Sequence, residues 1–382
     1  MLSALSSSKA SSLRQCARGD HASRIQPFVA VALLVVFVLS PVRTIAAENP
    51  IPKQWTLAVL GDQQFAVTQK TGHDYLNRFS SQIDWLVANA GAVNLRMVAQ
   101  VGDIVERAGI ESEWERASAV MMRLDTATNA DGTLGIPWCV AYGNHEIIGA
   151  VLRPTIDLAG PAPSANYRRF FGSARGTHRY ARQAQFRGVS ANDLNTWHII
   201  RSSLALGARS YLILNLEIDI PGRKEGTNFN ALDWAQQIID QHQDLPTIIV
   251  THVFEGSRAG PPNTAYLRGF GHNSQLEIFD ALVKVNPQII MVLSGHTSED
   301  THKVKLNGAG EPVLQMVTDY SKWVGTAGDG FFRLMEFDEA AGKVRVTTYS
   351  AFLDQHRTDA NSRFEFIVDF DRRFRTATTK RD

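Results

Sequence analysis

Five short blocks of the sequence place Asp, Asn or His side chains directly after an apolar run, and all three residue types can bind a divalent metal ion. In chain order the blocks are Leu60-Gly61-Asp62-Gln63-Gln64, Val101-Gly102-Asp103, Tyr142-Gly143-Asn144-His145-Glu146, Thr251-His252 and Ser294-Gly295-His296. Carboxylate, amide and imidazole ligands together suit Mn, Fe, Zn or a similar ion. Glycine precedes the ligand in four of these blocks, where it lets the backbone turn sharply and approach closely. The chemistry that the blocks predict is that of a divalent-metal site.

The apolar runs before these blocks are short and alternate with helical patterns, which indicates an α/β fold. Strands are predicted over 55–60, 95–101, 138–141, 211–217, 247–251 and 289–294, and helices over 74–90, 111–125, 231–241 and 275–285. Strand–helix–strand repetition implies largely parallel pairing, and the carboxyl ends of parallel strands open onto one crevice. We therefore expect the five blocks to meet at one edge. After residue 310, strands over 313–317, 331–337, 344–349 and 364–370 predict a closing antiparallel sheet.

Composition excludes several other classes of protein. The chain has 382 residues, 44% of them hydrophobic, and a net charge of +1, so no basic excess points to a nucleic-acid partner. Its two cysteines, Cys16 and Cys139, cannot build a disulfide scaffold or a zinc finger. The sequence contains no nucleophile elbow, P-loop or Rossmann glycine fingerprint, so nothing in it indicates covalent catalysis or nucleotide-cofactor binding.

Residues 1–47 differ in composition from the rest of the chain. A basic, Ser-rich segment precedes the apolar run Phe28 to Leu39, and small residues follow up to Ala47. This run is shorter than the roughly 20 residues of a transmembrane helix, and the pattern is that of a secretory signal peptide. We expect an exported protein, either periplasmic or secreted after cleavage or held at the membrane by an uncleaved N-terminal anchor. No other membrane span is expected, and oligomeric state stays open.

The ordered set of blocks resembles the calcineurin-like metallophosphoesterases over roughly Trp55 to Phe370. That family's signature runs Asp-x-His, Gly-Asp, Gly-Asn-His-Asp/Glu, a strand-end His, and Gly-His-x-His. Three of these blocks are intact here, as is the first His of the last block, His296. The resemblance implies one domain over 48–371, folded as a four-layer α/β/β/α sandwich of two mixed β-sheets flanked by helices. It also implies two divalent metal ions (Mn, Fe or Zn) on the rim of the sandwich, and a small phosphorylated substrate.

Site residues follow from the same resemblance. Asp103 would bridge both ions, while Asn144, His252 and His296 would complete one position. His145 would be the catalytic group that protonates the leaving oxygen. Asp62 and Gln64 would hold the other ion, but Gln64 and Ser298 stand where the family has histidines. His302 or Asp300 lies close enough in sequence to replace a lost ligand.

The segment 150–207 is the least regular part of the sequence, and two interpretations stay open for it. It is either a solvated surface excursion or a cap whose arginines hold the substrate phosphate, with Arg168, Arg169 and Arg179 as candidates beside Asn144. Tyr167, Tyr180 and the pair Phe170-Phe171 could then stack on a base or sugar. Residues 372–382 are expected to form a disordered basic tail.

Two functions from different classes are compatible with the sequence. The first is an exported metal-dependent phosphoester hydrolase, a phosphatase or phosphodiesterase, in which metal-activated water attacks phosphorus. The alternative is a catalytically weak or inactive phosphoesterase-like module that binds phosphorylated ligands or cell-surface partners. The altered Gln64 and Ser298 positions favour the second function. The retained His145 favours the first, because a pure binding module needs no proton donor.

Overall fold

The structure, a computed structural model, describes residues 54–69, 74–129, 132–147, 165–172, 183–203, 208–223, 230–256, 273–322 and 327–376. The chain divides into two compact units, Met1–Asn49 and Pro50–Asp382, and every described residue lies in the second unit. The predicted leader over 1–47 therefore lies outside the described residues. None of the described helices is both long enough and apolar enough to cross a membrane.

The described part of the chain forms strands and helices close to the predicted positions. The strands are β1 (Trp55–Leu60), β2 (Leu95–Gln100), β3 (Trp138–Val140), β4 (Phe186–Val189), β5 (Thr196–Arg201), β6 (Ser210–Asn215), β7 (Thr247–Val250), β8 (Ile289–Ser294), β9 (Asp300–Leu306), β10 (Pro312–Thr318), β11 (Phe331–Asp338), β12 (Lys343–Ser350), β13 (Gln355–Arg357) and β14 (Arg363–Ile367). The helices are α1 (Gln64–Val67), α2 (Leu76–Asn89), α3 (Glu111–Thr126), α4 (Ala165–Phe171), α5 (Ala231–Gln241), α6 (Gln275–Ile278) and α7 (Phe370–Thr376), and α6 continues as a π-helix over Phe279–Val283.

Two seven-stranded mixed sheets are built from these strands. The first has the order β13-β12-β11-β1-β2-β3, with β14 also paired to β12, and the second has the order β4-β5-β6-β7-β8-β10-β9. In the first sheet β1, β2 and β3 are parallel, and in the second β6, β7, β8 and β10 are parallel. The strands that precede all five ligand blocks therefore belong to the parallel parts of the sheets.

The side chains of each central strand alternate between two apolar layers, because successive residues of a strand point to opposite faces. In β1, Leu57 and Val59 pack in the core between the two sheets, whereas Ala58 and Leu60 pack with residues of α2 and α3. The outer face of the second sheet packs in the same way against α5 and α6. This confirms the predicted four-layer α/β/β/α sandwich.

The predicted closing antiparallel sheet is only partly correct. β11, β12 and β14 do pair antiparallel in the first sheet. However, the strand predicted over 313–317 is β10 of the second sheet, where it inserts between β8 and β9 and runs parallel to β8. The chain turns back after β8 to form β9 and turns again, so β10 regains the direction of β8. The carboxyl end of β10 therefore lies at the same edge as that of β8.

The segment predicted as an irregular cap-like insertion over 150–207 contains regular elements among its described residues. It contributes α4 and the two edge strands β4 and β5. Tyr167, Phe170 and Phe171 share one face of α4, as the i, i+3, i+4 spacing requires, and all three are buried around Trp114. The interpretation of these three rings as a stacking platform for a base or sugar is therefore wrong, since they belong to the core, and Tyr180 lies outside the described residues.

The predicted disordered tail is also wrong over 372–376, where α7 continues. Arg373 is buried, and its guanidinium group donates hydrogen bonds to the carbonyl oxygens of Pro287 and Pro312. These contacts satisfy carbonyl groups at the amino-terminal ends of β8 and β10, which explains why the segment is ordered. Residues 377–382 lie outside the described part of the chain.

Candidate metal centre

The loops that follow β2 and β3 are held together by the carboxylate of Glu146, which is fully buried. Its Oε2 accepts hydrogen bonds from the backbone N–H groups of Gly143 (2.7 Å) and Asp103 (3.0 Å). Its Oε1 accepts from those of Ile104 (2.8 Å) and Val105 (3.2 Å). A carboxylate that accepts several backbone donors is strongly positioned. Glu146 therefore fixes the backbone on which Asp103 and Asn144 stand.

The turn after β2 needs glycine at position 102. Gly102 has φ +102°, and a Cβ atom placed there would lie 2.5 Å from Nδ1 of His252. Asp103 itself has φ +51°, in the left-handed region that L-residues rarely occupy. Such strain persists only where surrounding contacts impose it, and here the Glu146 carboxylate does so. This backbone conformation places the Asp103 side chain against the imidazole of His252.

Four atoms that carry lone pairs converge at the ends of the strands. Nε2 of His252 lies 3.0 Å from Oδ1 of Asn144 and 3.2 Å from Oδ2 of Asp103. Nδ1 of His296 lies 2.8 Å from the same Asn144 oxygen and 3.3 Å from Nε2 of His252. Asn144 thus presents its oxygen, not its amino group, to both rings. Ligands of a tetrahedral ion with bonds of about 2.0–2.1 Å lie about 3.4 Å apart, so this spacing fits a shared cation.

The electrostatics of Asp103 and His296 favour metal binding, whereas those of His252 favour a bound proton. Burial opposes ionisation of Asp103, but the imidazoles of His252 and His145 outweigh it and hold the pKa of the Asp103 carboxyl well below its usual range. Burial likewise lowers the pKa of His252, but Asp103 outweighs it and raises that pKa to about 9, so the ring favours its protonated form and a metal ion would have to displace that proton. For His296, burial and the nearby His252 lower the pKa to about 4, so its ring is neutral at pH 7. A charged carboxylate beside a neutral imidazole is the state in which both bind metal.

His145 lies beside this group, with its Nδ1 directed away from it. Nδ1 is 2.9 Å from the carbonyl oxygen of Glu106, which can only accept, so Nδ1 carries a proton. Nε2 lies 3.7 Å from Oδ2 of Asp103. Burial lowers the pKa of His145, but the carboxylates of Asp103 and Glu106 outweigh it and raise that pKa. His145 can therefore carry a proton near neutral pH.

On the other side of Asp103, two buried carboxyl groups face each other. Asp62 accepts a hydrogen bond from the backbone N–H of His296 (3.1 Å to Oδ2), which ties the end of β1 to the end of β8. Asp319, at the end of β10, accepts from the backbone N–H groups of Ser298 and Ser321. Burial and the adjacent Asp319 raise the pKa of Asp62. The Oε1 atom of Gln64 is buried and has no hydrogen-bond partner among the described residues.

The structure thus brings together most of the side chains predicted for the site. Asp103, Asn144, His252 and His296 contact one another, with Asp62 and His145 adjacent to them. Ligand atoms of Asp103, His252 and His296 all lie within 4.8 Å of one another. The donor set combines carboxylate, amide oxygen and imidazole, so the residues present fit divalent metal ions.

The arginines predicted to hold the substrate phosphate make other contacts. Nε of Arg168 donates to the carbonyl oxygen of Asn192 (2.8 Å), and Arg169 forms a salt bridge with Glu111 (2.7 Å). Arg179 lies outside the described residues. Of the proposed substrate contacts, Asn144 alone is placed at the strand-end group by the described part of the chain.

Three acidic residues at the site, Glu106, Glu146 and Asp319, were not predicted from the sequence to take part in it. Glu146 and Glu106 were visible inside or close to the ligand blocks, but only the fold shows that they orient Asp103 and His145. Asp319 stands at the end of a buried strand, the same signal that identified the other blocks. It was missed because β10 was expected to be antiparallel. His302 and Asp300 do not fill the gap: the His302 ring stacks on Phe364 and Asp300 accepts a hydrogen bond from Ser362.

The fold and the site together define a class, the four-layer α/β/β/α proteins that carry a metal-ligand group at the carboxyl ends of their strands. Residues 56–300 match the family model described as Calcineurin-like phosphoesterase. This chain belongs to the calcineurin-like phosphoesterase family, as the resemblance of its sequence blocks predicted.

Individual relatives are distant. The chain is 26% identical over 341 residues to the uncharacterized protein YvnB of Bacillus subtilis (strain 168), covering 86% of this chain but only 23% of that protein. Among solved structures, the purple acid phosphatase PPD1 from yellow lupin (Lupinus luteus) seeds superposes with a TM-score of 0.50 at 13% identity, over 84% of this chain and 55% of that chain. A dimetal phosphatase from Danio rerio gives a TM-score of 0.47 at 12% identity, over 82% and 98%. The structural similarity to the lupin phosphatase supports only the fold of this chain.

The central position of Glu146 gives a stability prediction. Glu146→Gln replaces one acceptor oxygen by an amino group that faces backbone donors, so two N–H groups lose their partner. We expect the free energy of unfolding, measured by urea denaturation in the presence of chelator, to fall by about 2–4 kcal/mol. Glu336→Gln serves as control, since the side chain of Glu336 is partly exposed and pairs with that of Arg345. Equal stability of the two variants would show that Glu146 does not hold the loops.

Proposed function

We propose that this chain is a metal-dependent phosphoester hydrolase, either a phosphatase or a phosphodiesterase. The observation that carries the proposal is the convergence of lone-pair atoms from Asp103, Asn144, His252 and His296 at 2.8–3.3 Å. Family membership supports hydrolysis of a phosphoester. A largely buried group of acceptors like this is stable when a cation lies between them.

In this proposal the residues of the chain form two metal-binding positions. Asn144, His252 and His296 would hold one divalent ion, Asp62 and Gln64 the other, and Asp103 would contact both. When bound, the two ions would activate a water molecule and neutralise charge on the phosphoryl group. The ion identity is proposed as Mn, Fe or Zn, and the substrate as a small phosphorylated molecule.

His145 is proposed as the proton donor to the leaving oxygen. The Glu106 carbonyl fixes the Nδ1 proton, so the Nε2 side of the ring faces the Asp103 group. The raised pKa of His145 favours the protonated ring at neutral pH, and a leaving alkoxide needs a proton. Asn144 would orient the phosphoryl group through its amino group, which points away from both histidine rings.

Export of the protein is part of the proposal and is supported by the sequence of residues 1–47. The basic segment, the apolar run to Leu39 and the small residues up to Ala47 together suit a secretory leader or an N-terminal anchor. Fusion of residues 1–50 to a reporter enzyme that is active only after export would test this part independently of the catalytic site.

The alternative, a module that binds phosphorylated ligands without turnover, has one specific observation in its favour. Gln64 and Ser298 stand where two imidazoles would complete the second metal position. A phosphate ester that binds to the purified protein but is not hydrolysed with any added divalent ion would favour this alternative. His145 and its raised pKa favour the hydrolase.

Asp103 is the residue whose loss should be most damaging. Asp103→Asn keeps the size of the side chain but removes the charge that would contact both ions, so metal content and turnover should fall together. The measurement combines elemental analysis after dialysis with hydrolysis of aryl phosphate monoesters and diesters. Asp84→Asn, which alters an exposed carboxylate paired with Arg123, is the control. Near-normal metal content and turnover in Asp103→Asn would refute the site assignment.

His145 should affect turnover without affecting metal retention. Because its ring nitrogens contact Glu106 and Asp103 and lie outside the convergent group, His145→Ala should keep its metal. Turnover should fall by roughly 10²–10⁴-fold, the usual effect of losing a general acid. His242→Ala, a partly exposed histidine beside Trp197, provides the control. If His145→Ala lost metal instead, His145 would have to be reassigned as a ligand.

A further inference from the structure

Three chain segments meet at the second metal position, and the segment that follows β10 was not predicted to lie there. Asp62 follows β1, the residues 295–298 follow β8, and Asp319 follows β10. The backbone N–H of His296 donates to Asp62, and that of Ser298 donates to Asp319. Because β8 and β10 run parallel, both ends open at the same edge. Asp319 thus reaches the segment that carries Ser298, where the family has its second histidine.

The second metal position contains two buried acidic side chains, Asp62 and Asp319. Asp62 is 4% exposed and Asp319 is 1% exposed. Neither forms a salt bridge with a Lys or Arg side chain in the part of the chain that the structure describes. A buried carboxylate without a positive partner costs several kcal/mol, and a coordinated metal ion is one of the usual ways in which proteins meet that cost.

Buried oxygens without partners lie in the same segments. Oε1 of Gln64, Oγ1 of Thr318 and Oγ of Ser321 form no hydrogen bond with any described residue, and all three residues are less than 4% exposed. Buried polar atoms are nearly always satisfied, so such a group calls for an ion or water. The Gln64 oxygen is the significant one, because Gln64 stands where the family has a metal-binding histidine.

We propose that Asp319 is a metal ligand and that, with Asp62, Gln64 and Asp103, it makes the second metal position an all-oxygen site. This inference rests on the proposed function, because it concerns the same metal centre. A carboxylate would then replace the missing imidazoles. The second position would still bind a metal ion, but through a different set of ligand atoms. Oxygen ligands favour hard ions such as Mn²⁺ and Mg²⁺, whereas the position with His252 and His296 favours Zn²⁺.

The test fills the two positions in turn in the full chain. Metal-stripped protein receives one equivalent of Zn²⁺, and Mn²⁺ is then titrated while free Mn²⁺ is followed by electron paramagnetic resonance. We expect the unaltered protein to bind one Zn²⁺ and one Mn²⁺. Asp319→Asn should bind Zn²⁺ as tightly as the unaltered protein and Mn²⁺ at least about tenfold more weakly. Asp280→Asn, an exposed carboxylate paired with Lys284, should leave both affinities unchanged.

A second measurement needs no variant and decides the question if Asp319→Asn fails to fold. Pulsed electron paramagnetic resonance of Mn²⁺ in the Zn²⁺-loaded protein should show no nitrogen coupling from imidazole. Coupling to an imidazole nitrogen, or a Mn²⁺ affinity of Asp319→Asn within about threefold of the unaltered protein, would overturn the role of Asp319 and leave the proposed function standing. Failure of the unaltered protein to bind Zn²⁺ would overturn the proposed function itself.

Discussion

The buried carboxylate of Glu146 is the constraint on which the rest of the site depends. It gathers backbone N–H groups from the loops after β2 and β3, and it thereby holds Asp103 in a left-handed conformation that it would not adopt alone. The side chain of Asp103 then meets His252, which comes from the opposite sheet. One side chain from the ligand block after β3 therefore helps to align the edges of the two sheets.

The two halves of the centre differ in chemistry because they are built from different strands. β3, β7 and β8 supply an amide oxygen and two imidazoles, while β1 and β10 supply carboxylates. Asp103, from β2, lies between the halves. A softer ion would suit the nitrogen-rich half and a harder ion the oxygen-rich half. The two replacements at Gln64 and Ser298 would then change which ion the centre selects and leave the number of positions unchanged.

The sequence predicted the four-layer fold class and the strand ends that meet at one edge, but it did not predict the position of β10. A ligand directly after a buried strand was a sufficient signal for Asp103, Asn144, His252 and His296, because parallel strands bring their carboxyl ends together. Asp319 carried the same signal, but the direction of β10 depends on long-range pairing that local periodicity does not encode. The aromatic residues of α4 were misjudged for a related reason. Their helical spacing marks an apolar face, yet only tertiary packing shows that Trp114 covers it.

In the proposed centre Asp103 lies between two metal ions, one beside the histidines and one beside the carboxylates. Anomalous diffraction from crystals of the full chain grown with Mn²⁺ tests it most directly. We expect two anomalous peaks on either side of the Asp103 carboxylate, one next to His252 and His296 and one next to Asp62 and Asp319. Crystals saturated with Mn²⁺ that show no peak at Asp103, or peaks only elsewhere on the protein, would contradict it.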